Sequence, residues 1–95
     1  MPQLIQPAPE GRPVANWGVH GSGTADDPAY VTFHILGSAL DLEELQEQLP
    51  STVSVAMDQP IYKLTPVDPT MSRNDIAKVF TDLCSTRNWR PRFFG

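Results

Sequence analysis

Residues 30–36 read YVTFHIL, and their alternation decides the fold. Val31, Phe33 and Ile35 fall on one side of an extended chain; Tyr30, Thr32 and His34 fall on the other. That period of two is the signature of a strand with one buried face. The next stretch, GSALDLEELQEQLP (37–50), changes period: Leu42, Leu45 and Leu49 share one helical stripe, and Pro50 ends it. Asp41 with Glu44, or Ser38 with Asp41, supplies the start of that helix. STVSVAM (51–57) alternates again and puts Val53, Val55 and Met57 together. A turn at MDQP (57–60) then leads into IYKLTPV (61–67), the second strand of a hairpin.

A second helix is expected over Arg73 to Arg87. Ser72 stands at its N-cap and Asp75 in its first turn, facing the positive end of the helix dipole. Ile76, Val79, Phe80 and Leu83 recur at the spacing of one helical face, and Asn88 is suited to a left-handed stop. The chain closes on TRNWRPRFFG (86–95). As a strand, this tail puts Trp89, Pro91 and Phe93 on one face and Arg90, Arg92 and Phe94 on the other. Proline lacks a donor and arginines repel stray pairing, so the strand belongs at a sheet edge. Strand, helix, strand, strand, helix, strand gives an α+β fold, a ferredoxin-like βαββαβ sandwich in which the last strand lies beside the first.

Upstream, residues 1–28 read as an extended Pro/Gly-rich N-terminal arm, leaving residues 29–95 as the small α+β domain. Pro2, Pro7, Pro9, Pro13 and Pro28 are interspersed with Gly11, Gly18, Gly21 and Gly23. Proline removes donors and glycine raises the entropic cost of ordering, so the composition argues against a helix or central strand there. The arm contains Leu4, Ile5, Val14 and Trp17 with no periodicity to fold them locally, and these are the expected contacts with a partner. Phe94 joins them, because the strand reading of the tail leaves its ring unused.

The totals set bounds. Ninety-five residues make one domain. A domain of this size buries only about 60 % of its unfolded surface. The single cysteine, Cys84, excludes an internal disulfide. No run reaches the ~18 apolar residues of a membrane span, and the basic-then-apolar pattern of a signal peptide is missing, so a cytoplasmic or virion setting is expected. The net charge of −4 is unevenly spread. Residues 1–50 carry seven acids against one base, and residues 51–95 carry six bases against four acids.

Little in the sequence has the spacing of chemistry. WGVHGSGTADD (17–27) gathers His20, Ser22 and two aspartates around three glycines. It has neither the lysine nor the strand-to-helix setting of a phosphate cradle, and His20 stands where a nucleophile elbow needs glycine. His20, His34 and Cys84 lack metal-ligand spacing. Cys84 sits beside the apolar stripe of the second helix as a small hydrophobe, and His34 is expected at the surface. No catalytic, cofactor-binding or metal-binding residue is therefore expected.

A ferredoxin-like sheet bearing aromatics resembles the RNA-recognition family, which stacks bases on its first and third strands. Tyr30 lies on the open face of the first predicted strand, and Tyr62 is placed to join it. PIYKLTPV (60–67) lacks that family's basic-glycine-aromatic signature, and the negative charge opposes nucleic acid. The expected function is instead a non-catalytic accessory or structural subunit of a larger assembly, a virion-type component included. It would hold a protein partner or a second copy through its arm. The alternatives are a small phage-type inhibitor binding a host protein through the acidic helix DLEELQEQ (41–48), and an oligomeric enzyme with an inter-subunit site.

Overall fold

The structure is a computed structural model that describes residues 13–35, 40–58 and 60–94. Its elements are β1 (Val14–His20), β2 (Tyr30–Ile35), α1 (Leu42–Gln48), β3 (Val53–Asp58), β4 (Ile61–Pro66), α2 (Arg73–Arg87) and β5 (Arg90–Phe93). The strands form one mixed sheet in the order β3-β4-β2-β1-β5. All its pairs are antiparallel except β1 with β5, which run parallel.

The alternation at 30–35 places Val31, Phe33 and Ile35 under the helices, each at most 2 % exposed. In register with them lie Ala15, Trp17 and Val19 of β1, and Leu64 and Tyr62 of β4. From α1 come Leu45 and Leu49, and from α2 come Ile76, Phe80, Leu83 and Cys84. Phe33 is the hub: its ring lies 4.9 Å from Phe80, 5.2 Å from Tyr62 and 5.9 Å from Trp89. Both helices cover the same face, and Arg87 ties them together by donating to Glu44 Oε1 (3.4 Å) and Gln48 Oε1 (2.7 Å).

Local chemistry sets the helix ends where the sequence predicts them. Asp41 is the N-cap of α1, accepting from the Glu43 amide, and Ser72 caps α2 by accepting from the Asp75 amide. Asn88 stops α2 at φ 60° and ψ 41°, the left-handed region that asparagine tolerates. That reversal buries Trp89 and feeds the chain into β5. On the opposite edge, the Gln46 side chain donates to the Val53 carbonyl and accepts from the Val55 amide. Helix α1 thereby occupies part of β3's outer backbone, which would otherwise be open to pairing.

Two expectations are corrected. The boundary at residue 28 does not divide arm from domain, because Val14–His20 is a strand hydrogen-bonded on both sides. And β5 lies beside β1, not beside the strand at 30–35. The physical reason is the period of two in VANWGVH (14–20), where Ala15 is fully buried and Val19 nearly so. Pro13 costs no ladder bond, since its carbonyl accepts from the Arg90 amide. Beyond β1, residues 21–27 close a hairpin. The amides of Ser22, Gly23 and Thr24 all reach the Asp27 carbonyl, and Asp27 Oδ2 accepts from the Ser22 hydroxyl at 2.8 Å. The edge expectation for the tail agrees with the pairing. Arg90 and Phe94 direct their amides to Pro13 and Trp17, so the nitrogen of Pro91 falls on the unpaired side.

Candidate functional site

With both helices on one face, the other face of the sheet is built entirely from the alternate strand residues. Pairing fixes who stands next to whom. Arg92 of β5 is opposite Asn16 of β1, and Asn16 is opposite His34 of β2. One step along, Gly18 is opposite Thr32, and Thr32 is opposite Lys63 of β4. His20 faces Tyr30, and their rings stack at 4.9 Å with an angle of 26°. Thr32 Oγ1 lies 2.9 Å from His20 Nε2 and fixes the imidazole from its other side.

Gly18 is the key to the shape. It is buried without a side chain in the middle of this face, and its neighbours border an open hollow. Asn16, His20, Thr32, His34, Ile61 and Phe94 line it, and it measures about 540 Å³. Phe94 stands at the β5 rim, 68 % exposed, with the Arg92 guanidinium 5.6 Å from its ring centre. On the β4 side, the Lys63 ammonium lies 4.4 Å over the Tyr30 ring. Asn16 Oδ1 is buried and has no hydrogen-bond partner among the described residues. A buried amide oxygen without a donor is costly, and such groups concentrate at sites that complete their bonding elsewhere.

The charges are sorted by layer. Among the strands, the charged residues are Lys63, Arg90, Arg92 and Asp58, and register puts all four on the helix-free face. Among the described strand residues, Asp58, at the far end of β3, is the acid on that face. The helical layer has the reverse balance: α1 carries Glu43, Glu44 and Glu47 with no base. Its cations are engaged, Lys78 with Asp82 at 3.0 Å, Arg87 with Glu44, and Arg73 with the Gly21 carbonyl. Among the described residues of this net −4 chain, the strand cations therefore lie on the face away from the acidic helix α1.

The structure brings only part of the sequence-predicted set to this face. Leu4 and Ile5 lie outside the described residues. Val14 is half-buried on β1 opposite Arg90. Trp17 is no free anchor: it points to the helix side, with its ring 5.0 Å from Phe80 and 4.7 Å from Phe93. Phe94 is on the site. Tyr62 does not join Tyr30; it is buried under the helices, where its hydroxyl accepts from the Leu40 amide. His34 is half-buried on the hollow instead of fully at the surface. Asn16, Gly18 and His20 are the site residues that the arm reading missed, and the alternation of 14–20 is the signal that would have found them.

Cys84 is 1 % exposed, and burial pushes its thiol up to about 12, far from the thiolate that reacts at neutral pH. Among the described residues, no three histidines, cysteines or carboxylates gather to hold a metal ion. Nor is any described helix long and apolar enough to cross a membrane. Comparisons with protein-family models, with curated proteins and with solved structures return no match.

Proposed function

We propose that this protein is a non-catalytic accessory subunit that binds an anionic partner on the helix-free face of its sheet. One observation carries the reading: an acidic chain has placed Lys63 and Arg92 on one face, on either side of a hollow lined by the rings of His20, His34 and Phe94. Cations that merely solubilise a surface have no reason to segregate from the acids, and segregation costs repulsion among them. A partner of opposite charge offsets that repulsion. The same reading takes the fold as a ferredoxin-like βαββαβ sandwich into which β1 has been inserted as a fifth strand. Support comes from the crossover β4-α2-β5 and from β2-α1-β3, each of which spans intervening strands. The inserted strand is what supplies Asn16, Gly18 and His20 to the face.

Heparin serves as a probe polyanion. At low salt it should bind the unmodified protein and fail to bind a Lys63→Glu/Arg92→Glu double variant whose melting temperature is unchanged. A Lys78→Glu variant, altered on the helical layer, should bind as the unmodified protein does. Equal loss in both variants, or no binding by any form, would overturn the proposal.

A further inference from the structure

We infer that the hollow over Gly18 receives an unpaired base of a single-stranded nucleic acid, with Arg92 and Lys63 taking the phosphates on either side. The inference rests on the anionic-partner reading above and names the partner's chemistry. Three features of the site select it.

The first is shape. Gly18, without a side chain, lines a hollow of about 540 Å³ at a position flanked by Asn16, His20, Thr32 and His34. Its rim residue Phe94 is exposed, and the rings of His20 and His34 line it. A flat ring fills such a space by lying against other rings, and stacking of this kind tolerates any base. An acidic peptide would satisfy the cations but offer no flat group to the hollow. A duplex keeps its bases paired inside and could not present one.

The second is the placement of charge. Lys63 lies on β4 and Arg92 on β5, with β2 and β1 between them. Three strand spacings separate their backbones by roughly 14 Å, so the two cations flank the hollow instead of filling it. Both already sit against rings, Lys63 over Tyr30 and Arg92 over Phe94. A ligand that alternates flat rings with anions matches a surface that alternates rings with cations.

The third is the Asn16 amide oxygen at the wall of the hollow, buried and without a partner among the described residues. Bases carry donors and acceptors on their edges, and an amide is suited to meet them once the side chain turns toward the ligand. The overall charge of −4 does not oppose this contact at close range, because screening confines the acidic layer's field to about a Debye length at ordinary salt.

Fluorescence anisotropy with labelled nine-nucleotide strands, one RNA and one DNA of the same mixed sequence, tests the inference at 50 mM salt. A duplex of that sequence and heparin serve as competitors. At least one single strand should bind about tenfold or more tightly than the duplex, and the better of the two identifies the source of the partner. Two engaged cations predict a log–log salt slope of about −1.4. Phe94→Ala, at an exposed position that the fold does not need, should weaken binding about tenfold. Gly18→Val should weaken it by putting a branched side chain into the hollow; if that variant fails to fold, Phe94→Ala still decides. Equal affinity for strand and duplex with no effect of Phe94→Ala would overturn the inference while leaving an anion-binding face. Binding of heparin but of no oligonucleotide would have the same meaning, and failure of every probe would remove both readings.

Discussion

Replacing Gly21 with alanine separates a built hairpin from a loose linker by the sign of its effect. Gly21 has φ 81°, in the left-handed region, where a side chain costs roughly 1–2 kcal/mol. A Cβ there would also lie 2.0 Å from the Pro28 carbonyl oxygen and 2.8 Å from its carbon. Both atoms are backbone, so no flexible side chain can swing aside. The loop itself must open, straining the bonds that Ser22, Gly23 and Thr24 make to Asp27 and the contact of Arg73 with the Gly21 carbonyl. Overpacking of this kind adds about 1–3 kcal/mol. The expected loss is therefore about 2–5 kcal/mol, against a total of roughly 5–14 kcal/mol for a chain of this length. Circular dichroism should record a melting temperature lower by about 10 °C or more, with the folded spectrum kept. Gly23→Ala should lose less, since its nearest contact is the Met71 carbonyl oxygen at 3.2 Å. In a mobile linker, alanine for glycine would stabilise slightly by restricting the unfolded chain. A Gly21→Ala protein that melts at or above the unmodified temperature refutes the hairpin.

The remaining expectations concern the core and its ends. Phe80→Ala removes a fully buried ring that touches both Trp17 and Phe33, and should cost about 3–5 kcal/mol in a urea titration. Deleting residues 1–21 removes β1 and leaves β5 without a neighbour, so it should abolish cooperative melting; retention of the full transition would mean β1 is dispensable. Cys84 should resist an aromatic disulfide reagent at pH 8 in the native protein and react on unfolding. Because burial raises its thiol from 9.0 to about 12, the folded form keeps a proton that the unfolded form releases. Stability from this group is intact below pH 9 and falls as pH climbs toward 12, which thermal melts across that range would record.

Most of the scaffold was legible because its elements obey a single period each. YVTFHI, the Leu45 and Leu49 stripe, the 53–66 hairpin and the Ser72-to-Asn88 helix agree with the pairing and burial observed. Strand β1 was hidden by composition. Its neighbourhood is rich in proline and glycine, which break structure in isolation, yet each performs a task that pairing permits. Pro13 offers its carbonyl, Gly21 turns the chain, and Gly18 is held by its pairing with Thr32. Tertiary pairing overrides the intrinsic cost of glycine, and no local rule reports it. Since half of the hollow belongs to β1, losing that strand also lost the site. Trp17 was then free to look like an anchor for a neighbour, although its ring packs on Phe80 and Phe93. The layer-wise sorting of charge was equally invisible, because Lys63 and Arg92 meet around Gly18 only when β4 and β5 are placed in the sheet.

The most direct measurement of the central claim is an amide NMR titration of the whole protein with the nine-nucleotide single strands. Binding on the helix-free face should shift the resonances of Gly18, His20, Thr32, Lys63, Arg92 and Phe94, and leave those of α1 and α2 in place. Shifts confined to the helical layer, or none on β1 and β5, would contradict it.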